Sequence, residues 1–289
     1  MRNNHIAILM ATYNGGLYLR EQIESLLSQT YQNWHLYIHD DGSQDDTVSI
    51  IKGFVEQYPN QMTLLDYPSQ GGPCRNFLSM LDYVVAQYYM FCDQDDVWLP
   101  EKIALSLQKM QESESQHPDQ GIVIYTDLQI VDEHLKVIHP SMWKYAGVYP
   151  EFLTTFNEAG GHTAIATGCT MFFNEKAKAC CSYDASKAVM HDNWVCLCVL
   201  KQRGILQTIN KPLVLYRQHG RNFFGSGNIA ASNITLKYRM THLSKIYHSN
   251  KDYYSMLSSI GYGSFLKYLY AKVKYKIRHC RHHHPVQPQ

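Results

Sequence analysis

The segment that best indicates the fold of this chain is Tyr88-Tyr89-Met90-Phe91-Cys92-Asp93-Gln94-Asp95-Asp96 (88–96). Its first five residues read as a strand buried on both faces of a sheet. Three carboxylates follow at once, where that strand ends. A strand-like run followed by a polar cluster occurs twice more, at Ile6–Met10 before Thr12-Tyr13-Asn14 and at 34–39 before Asp40-Asp41.

Segments of helical spacing alternate with strands through the first half of the chain. The spacing predicts helices at 17–28, 45–58, 73–86 and 99–113, and further strands at 62–65 and 122–125. This alternation indicates an α/β fold with a mostly parallel sheet and helices on both faces. In such sheets ligands bind beyond the carboxyl ends of the strands, where the polar clusters fall.

Beyond about residue 127 the alternation loosens. We expect a strand at 168–173, a helix at 192–203 and a short strand at 213–216. From residue 229 onward the chain reads as helix, followed by a basic tail that contains Arg281.

Bulk composition narrows the class of protein. The chain has 289 residues and a formal net charge of +1, so no global field points to nucleic acid as a partner. The eight cysteines include no C-x-x-C pair, which favours buried thiols in a reducing cytosol over a zinc site. No signal peptide and no apolar run of about 18 residues is apparent, so we expect a cytoplasmic protein, peripheral to a membrane at most.

The acidic cluster is the sharpest chemical feature. Asp93, Asp95 and Asp96 repel one another, and a hard divalent cation with oxygen ligands offsets that repulsion. Such a cation could neutralise a diphosphate leaving group. A solvated acidic loop that caps the next helix is the alternative.

Two further segments could bind a nucleotide. Asp41, at a strand tip, could accept a hydrogen bond from a uracil or thymine ring N–H, although Asp-Asp-Gly-Ser is also a good turn. Gly71 and Gly72 precede a helix N-terminus, which suits an anion, and Arg75 could add charge-assisted bonds to phosphate. A tight turn with a surface arginine is the alternative.

The second half offers two more candidates. Asp192, at the start of a helix, is either a helix cap or a general base. Arg217 and His219 lie on one loop, and basic side chains there suit a diphosphate or a bound metal. A structural histidine is the alternative for His219.

Taken together and in order, these motifs resemble the family 2 glycosyltransferases of the GT-A fold over roughly residues 5 to 225. The resemblance rests on these motifs: A-T-Y-N-G (11–15), Q-T-Y-Q-N-W (29–34), D-D-G-S-Q-D-D-T (40–47), D-Q-D-D-V-W-L-P-E-K (93–102), T-G-C-T-M-F-F-N (167–174), H-D-N-W (191–194) and Y-R-Q-H-G (216–220). The motifs D-Q-D-D-V-W and Y-R-Q-H-G are similar to those of bacterial rhamnosyltransferases of O-antigen and capsule assembly.

The resemblance implies a role for each candidate residue. Nucleotide-sugar binding is expected of Thr12, Tyr13, Asn14, Asp41, Arg75, Asp93, Asp95 and Arg217. The metal, Mn²⁺ or Mg²⁺, is expected at Asp95, Asp96 and His219. Asp192 would be the catalytic base. One departure is His191, where the family often has glutamate, so the acidity beside the base is expected to differ.

The expected domains are a GT-A domain at 1–225 and a helical extension at 226–289. Within the first, a nucleotide-binding half ends near 126 and an acceptor-binding half spans about 127–225. The resemblance implies inverting transfer of a single sugar, best assigned as L-rhamnose from dTDP-rhamnose, to a lipid-linked glycan. A UDP-hexose donor is the alternative.

Three interpretations compete with or extend this one. D-x-D-x-V at 93–97 also matches the nucleophile loop of haloacid-dehalogenase-type phosphatases, and a catalytically inactive sugar-nucleotide-binding protein would keep the same motifs. The basic, aromatic stretch 267–281 could lie on an anionic bilayer, or be an ordinary amphipathic surface helix.

Overall fold

The computed structural model describes residues 5–162, 164–182, 184–220 and 243–282. The strands are β1 (Ile6–Thr12), β2 (Trp34–Asp40), β3 (Met62–Leu64), β4 (Tyr88–Cys92), β5 (Val97–Trp98), β6 (Ile122–Val131), β7 (Val137–His139), β8 (Met171–Asn174) and β9 (Ile205–Arg217). The α-helices are α1 (Gly16–Leu27), α2 (Thr47–Gln57), α3 (Pro73–Tyr83), α4 (Lys102–Gln116), α5 (Met142–Ala146), α6 (Phe156–Ala159), α7 (Glu175–Ala179), α8 (His191–Lys201), α9 (Leu243–Ser259) and α10 (Phe265–His282).

The nine strands form one sheet in the order β3-β2-β1-β4-β8-β6-β9-β5, and β7 pairs with β6. Strands β1 to β4 run parallel to one another, and β6 runs parallel to β9. Strand β8 enters antiparallel between β4 and β6. Because β1, β2 and β4 are parallel neighbours, their carboxyl ends meet at one edge, which confirms the predicted placement of the polar loops.

The sheet separates two hydrophobic cores. On β1, Ile6 and Ile8 face the core beneath α1, α2 and α4, while Ala7 and Leu9 face the core beneath α3 and α8. This alternation follows from the two-residue period of a strand and places apolar side chains on both faces. The α/β class with helices on both sides is therefore confirmed.

Two strands differ from their prediction. The segment predicted as a strand at 168–173 begins as a 3-10 turn at Gly168–Thr170, and β8 starts only at Met171. The short strand predicted at 213–216 is the end of β9, which has 13 residues. Its pairing with β6 shifts register where Asp127 meets Pro212. Proline lacks a backbone N–H and sits at such irregularities, so the sequence pattern predicted only the part of the strand that follows Pro212.

The two C-terminal helices share a core with the sheet. Tyr253, Met256 and Leu257 of α9 and Tyr268 of α10 belong to the same buried cluster as Trp194 of α8. The predicted helix from 229 is observed from 243 onward, and residues 229–242 lie outside the described residues. The boundary at 225/226 also lies outside them, so the division into domains stays a prediction. No described helix has the length and apolar content needed to cross a bilayer.

Candidate active site

The acidic loop begins directly after β4. Asp93 and Asp95 are partly exposed, whereas Asp96 is fully buried. Oδ1 of Asp96 accepts the backbone N–H of Arg217 at 3.1 Å, and its Oδ2 has no hydrogen-bond partner within the described residues. Burial raises the pKa of Asp93 to about 7, and the negative charges of Asp95 and Asp192 add to the rise. Burial and the negative charges of Asp95 and Asp93 raise the pKa of Asp96.

This loop fits a hard divalent cation. Ligand atoms of Asp93, Asp96 and Cys169 all lie within 4.8 Å of one another. Burial raises the pKa of the Cys169 thiol well above its ordinary value, so this residue stays a neutral thiol and is a poor ligand for Mn²⁺ or Mg²⁺. The crowded carboxylates and the unpartnered Oδ2 of Asp96 supply the oxygen ligands that such ions prefer.

His219 is brought to this loop from the far end of β9. Its Nε2 lies 2.9 Å from Oδ2 of Asp95, and its ring packs 4.6 Å from the ring of Tyr18. The structure therefore places His219 against Asp95, whereas the ligand atoms of Asp96 cluster with those of Asp93 and Cys169. A metal site formed by Asp95, Asp96 and His219 stays a prediction.

Arg217 is placed differently from its prediction. Its side chain is buried, and the guanidinium donates to the backbone carbonyls of Asp95 at 2.8 Å and Glu133 at 2.6 Å. It also pairs with the carboxylate of Glu21 and lies over the ring of Tyr18 at 4.6 Å. These contacts commit the guanidinium to the protein, so its predicted contact with a diphosphate has no support in this geometry.

The loop after β1 reaches the same edge. Tyr13 exposes 57% of its surface, and its backbone is held on both sides by the Gln94 amide, with N–H to Oε1 at 2.9 Å and Nε2 to O at 3.0 Å. Thr12 is buried and donates to Asp40 at 2.8 Å. Asn14 adopts a left-handed φ of 48° and accepts the N–H of Gln44 at 2.8 Å. The sequence interpretation missed Gln94, although it stands inside the quoted D-Q-D-D motif.

Asp41 binds the turn before α3. Its carboxylate accepts the hydroxyl of Ser69 at 2.8 Å and the backbone N–H groups of Gln70, Gly71 and Gly72. Burial opposes ionisation, but these hydrogen bonds hold the pKa of Asp41 below its usual value. The anion that the glycine pair was predicted to attract is therefore, in this structure, Asp41 itself.

Arg75 lies exposed on the first turn of α3, beyond this turn. Gly71 and Gly72 have φ values of 74° and 134°, which favour glycine, so the turn that leads to Arg75 depends on both. The predicted contacts of Asp41 with a base and of Arg75 with phosphate stay predictions.

Asp192 stands in the first turn of α8 and is buried. Its Oδ1 accepts the N–H of Asn193 at 2.6 Å, and its Oδ2 accepts the N–H of Gly168 at 3.2 Å. Burial raises the pKa of Asp192 to about 6, although these N–H groups oppose the rise. A carboxylate with such a pKa is suited to accept a proton near neutral pH.

His191 lies beside Asp192 without charge. Its ring packs against Phe77 at 4.2 Å and Phe91 at 4.7 Å, and neither ring nitrogen has a hydrogen-bond partner in the described part of the chain. Burial lowers the pKa of His191 to about 3. The base position therefore has a neutral neighbour where the resembled family often has an acid.

The sequence of the chain is similar to those of known glycosyltransferases. The family model described as glycosyl transferase family 2 matches residues 7–180. The chain is 26% identical over 265 residues to the dTDP-rhamnosyl transferase RfbG of Shigella flexneri, covering 87% of this chain and 83% of that protein. It is 30% identical over 105 residues to the UDP-Glc:alpha-D-GlcNAc-diphosphoundecaprenol beta-1,3-glucosyltransferase WfgD of Escherichia coli, covering 36% and 40%.

Two solved structures share the fold. The mannosyltransferase PcManGT of Pyrobaculum calidifontis, in complex with GDP-Man and Mn²⁺, has a TM-score of 0.57 at 13% identity and covers 94% of this chain and 79% of its own. TarS 1-349 of S. aureus, in complex with UDP-GlcNAc, has a TM-score of 0.53 at 17% identity and covers 94% and 77%. At these identities the likeness concerns the fold alone.

Proposed function

The chain belongs to glycosyl transferase family 2, and from this premise we propose that it moves a single sugar, with inversion, from a nucleotide diphosphate to a hydroxyl of a lipid-linked glycan. The observation that carries the proposal is the position of Asp192. Its buried carboxylate lies close enough to the acidic loop for its charge to raise the pKa of Asp93. A candidate base and a candidate metal site therefore lie near each other, which supports a displacement that needs both. Family membership also argues against the phosphatase interpretation.

The first step is proton transfer from the acceptor to Asp192. Its ionised carboxylate takes the proton of the acceptor hydroxyl, and the resulting oxygen attacks the anomeric carbon from the face opposite the diphosphate. The bond from the anomeric carbon to the diphosphate oxygen breaks, and the nucleotide diphosphate leaves with that electron pair. The N–H groups of Gly168 and Asn193 keep the carboxylate oriented during this step.

The acidic loop is proposed to stabilise the departing nucleotide diphosphate. Asp95, Asp96 and His219 would hold Mn²⁺ or Mg²⁺, which when bound supplies positive charge against the developing negative charge of the diphosphate. Tyr13, on the loop held by Gln94, offers an exposed ring against which a nucleotide base could stack. Asp41 and Arg75, together with Thr12, Asn14 and Asp93, complete the proposed nucleotide-sugar site.

The proposed donor is dTDP-rhamnose. Its support is the similarity to a dTDP-rhamnosyl transferase over 87% of this chain. A UDP-hexose is the second candidate, favoured by the shorter match to a transferase whose name includes UDP-Glc. That same name includes a diphosphoundecaprenol-linked sugar, which supports a lipid-linked acceptor and a site of action on the cytoplasmic face of a membrane.

A donor screen tests the proposal. We expect dTDP-rhamnose with Mn²⁺ to raise the melting temperature more than UDP-glucose or GDP-mannose, because a ligand at about a hundredfold excess over its Kd stabilises the fold by about 2.7 kcal/mol. Transfer from dTDP-rhamnose should then yield an α-linked product. Stabilisation and transfer with UDP-glucose alone would select the alternative donor, and neither with any nucleotide sugar would reject the transferase.

A further inference from the structure

Helix α10 presents two opposite faces. One face packs on the protein: Tyr268 is fully buried, and the hydroxyl of Tyr275 accepts the N–H of Tyr149 at 3.2 Å. The other face carries large apolar side chains that contact no core, with exposed fractions from 39% to 76%. These outer-face residues are Leu266, Leu269, Tyr270, Val273 and Ile277.

The spacing of the outer-face residues makes a continuous stripe. They recur at intervals of three and four residues, so at 100° per residue they occupy an arc about 100° wide. Tyr268 and Tyr275 fall near the opposite side of the helix by the same count. A surface helix normally turns its apolar stripe toward the core, and this helix carries a second stripe turned away from it.

On α10 itself, the charged side chains beside this stripe are all basic. Lys267 and Lys274 lie along one edge of the stripe and Lys276 along the other, and all three are exposed. The sequence from 264 to 282 contains no aspartate or glutamate. An exposed apolar stripe edged by lysines is the pattern of a helix that lies in the interface of an anionic bilayer.

We propose that the outer face of α10 inserts into the boundary between headgroups and acyl chains of an anionic phospholipid bilayer. The leucine, valine and isoleucine side chains enter the acyl region, and Tyr270 lies at headgroup depth, where its ring and hydroxyl are both accommodated. Lys267, Lys274 and Lys276 extend to the lipid phosphates.

The lysines that flank the stripe favour an anionic bilayer over a second copy of the chain as its binding partner. Two copies joined through this stripe would place their flanking lysines near one another, and the segment has no acid to neutralise them. Anionic lipid complements the same lysines, at about 1 kcal/mol for each basic residue near the surface. The biological meaning of this contact rests on the proposed function, because a lipid-linked acceptor would be found at that bilayer.

Flotation of the full chain with vesicles tests this surface. We expect the wild type to float with equimolar phosphatidylglycerol and phosphatidylcholine vesicles and much less with phosphatidylcholine alone. The triple variant Leu266→Ser/Tyr270→Ser/Val273→Ser should bind about tenfold more weakly or worse, since it removes apolar area from the bilayer. Its melting temperature should match the wild type, because the three side chains are exposed.

A matched control removes the same kind of surface elsewhere. Tyr83→Ser/Val85→Ser/Ile138→Ser also replaces one tyrosine and two aliphatic side chains that are exposed, and it should bind vesicles as the wild type does. Equal binding by the outer-face variant, or no binding by the wild type, would overturn the proposal. A dimer in the absence of lipid would also overturn it, if analytical ultracentrifugation shows that dimer for the wild type and the control variant but not for the outer-face variant.

The transfer reaction separates this inference from the proposed function. With a water-soluble glycan acceptor, the outer-face variant should transfer sugar at the wild-type rate. If neither protein transfers sugar with any donor, the proposed function fails and the flotation result still stands. If both transfer sugar and both bind vesicles equally, only the membrane inference fails.

Discussion

Nε2 of His219 lies 2.9 Å from Oδ2 of Asp95, a contact that joins the loop after β9 to the loop after β4 across 124 residues of sequence. The ring of Tyr18 packs 4.6 Å from the imidazole and limits its orientation. The pair therefore sets the direction in which Asp95 presents its carboxylate.

His219→Ala should weaken metal activation of transfer. Loss of the imidazole removes a ligand or leaves Asp95 unoriented, so the Mn²⁺ concentration for half-maximal activity should rise by about 10- to 100-fold. A Mn²⁺ titration of the transfer rate measures this, with Tyr18→Phe as the control that keeps the ring contact. Unchanged Mn²⁺ dependence in His219→Ala would remove His219 from the metal site.

Gln94→Ala should affect donor binding more than chemistry. Gln94 holds the Tyr13 backbone through two hydrogen bonds, each worth about 0.5–1.5 kcal/mol, so the KM for the donor should rise about tenfold while kcat stays near wild type. Gln108→Ala serves as the control, because it removes an exposed glutamine whose amide donates to the carboxylate of Glu112. A fall in kcat with constant KM would contradict this assignment.

Arg217→Ala should lose stability rather than donor affinity. The substitution removes a buried guanidinium and leaves the carbonyls of Asp95 and Glu133 unpaired, which should lower the free energy of unfolding by about 3 kcal/mol. Urea denaturation measures this. Arg75→Ala is the contrast, because its exposed side chain should change stability by less than about 0.5 kcal/mol and raise the KM for the donor. If Arg217→Ala instead raised the KM for the donor and left the free energy of unfolding unchanged, Arg217 would be assigned to diphosphate binding.

Arg75 and Arg217 differ in a way that the sequence does not predict. The order of strands and helices is readable from apolar periodicity, and strand β4 was predicted with its observed bounds. Whether an arginine faces a ligand depends on partners far away in the chain, such as Glu21 for Arg217. No local pattern reports that contact.

The length of β9 and the orientation of α10 could also not be predicted from the sequence, for physical reasons. Pro212 interrupts the strand pattern at a register shift that the neighbouring strand β6 accommodates, so the length of β9 depends on its partner. Helix α10 was expected to be amphipathic, but the sequence could not say which of its faces meets the core. The position of Tyr268 decides that, and it leaves the stripe containing Leu266 outside.

The pH dependence of transfer should report Asp192. Burial raises the pKa of Asp192 to about 6, and only the ionised carboxylate accepts a proton, so kcat/KM should fall about tenfold per pH unit below 6 and level off above it. A pH–rate profile at saturating Mn²⁺ measures this. An acidic limb near pH 4, the ordinary range of an aspartate, would show that burial does not control the base.

The most direct measurement of the central claim is the transfer rate of Asp192→Asn beside its affinity for the donor. The amide is nearly the same size but cannot take the proton of the acceptor, so transfer should fall by at least about 100-fold. The thermal shift with donor and Mn²⁺ should stay close to that of the wild type. Transfer by Asp192→Asn at a rate near that of the wild type would contradict the account.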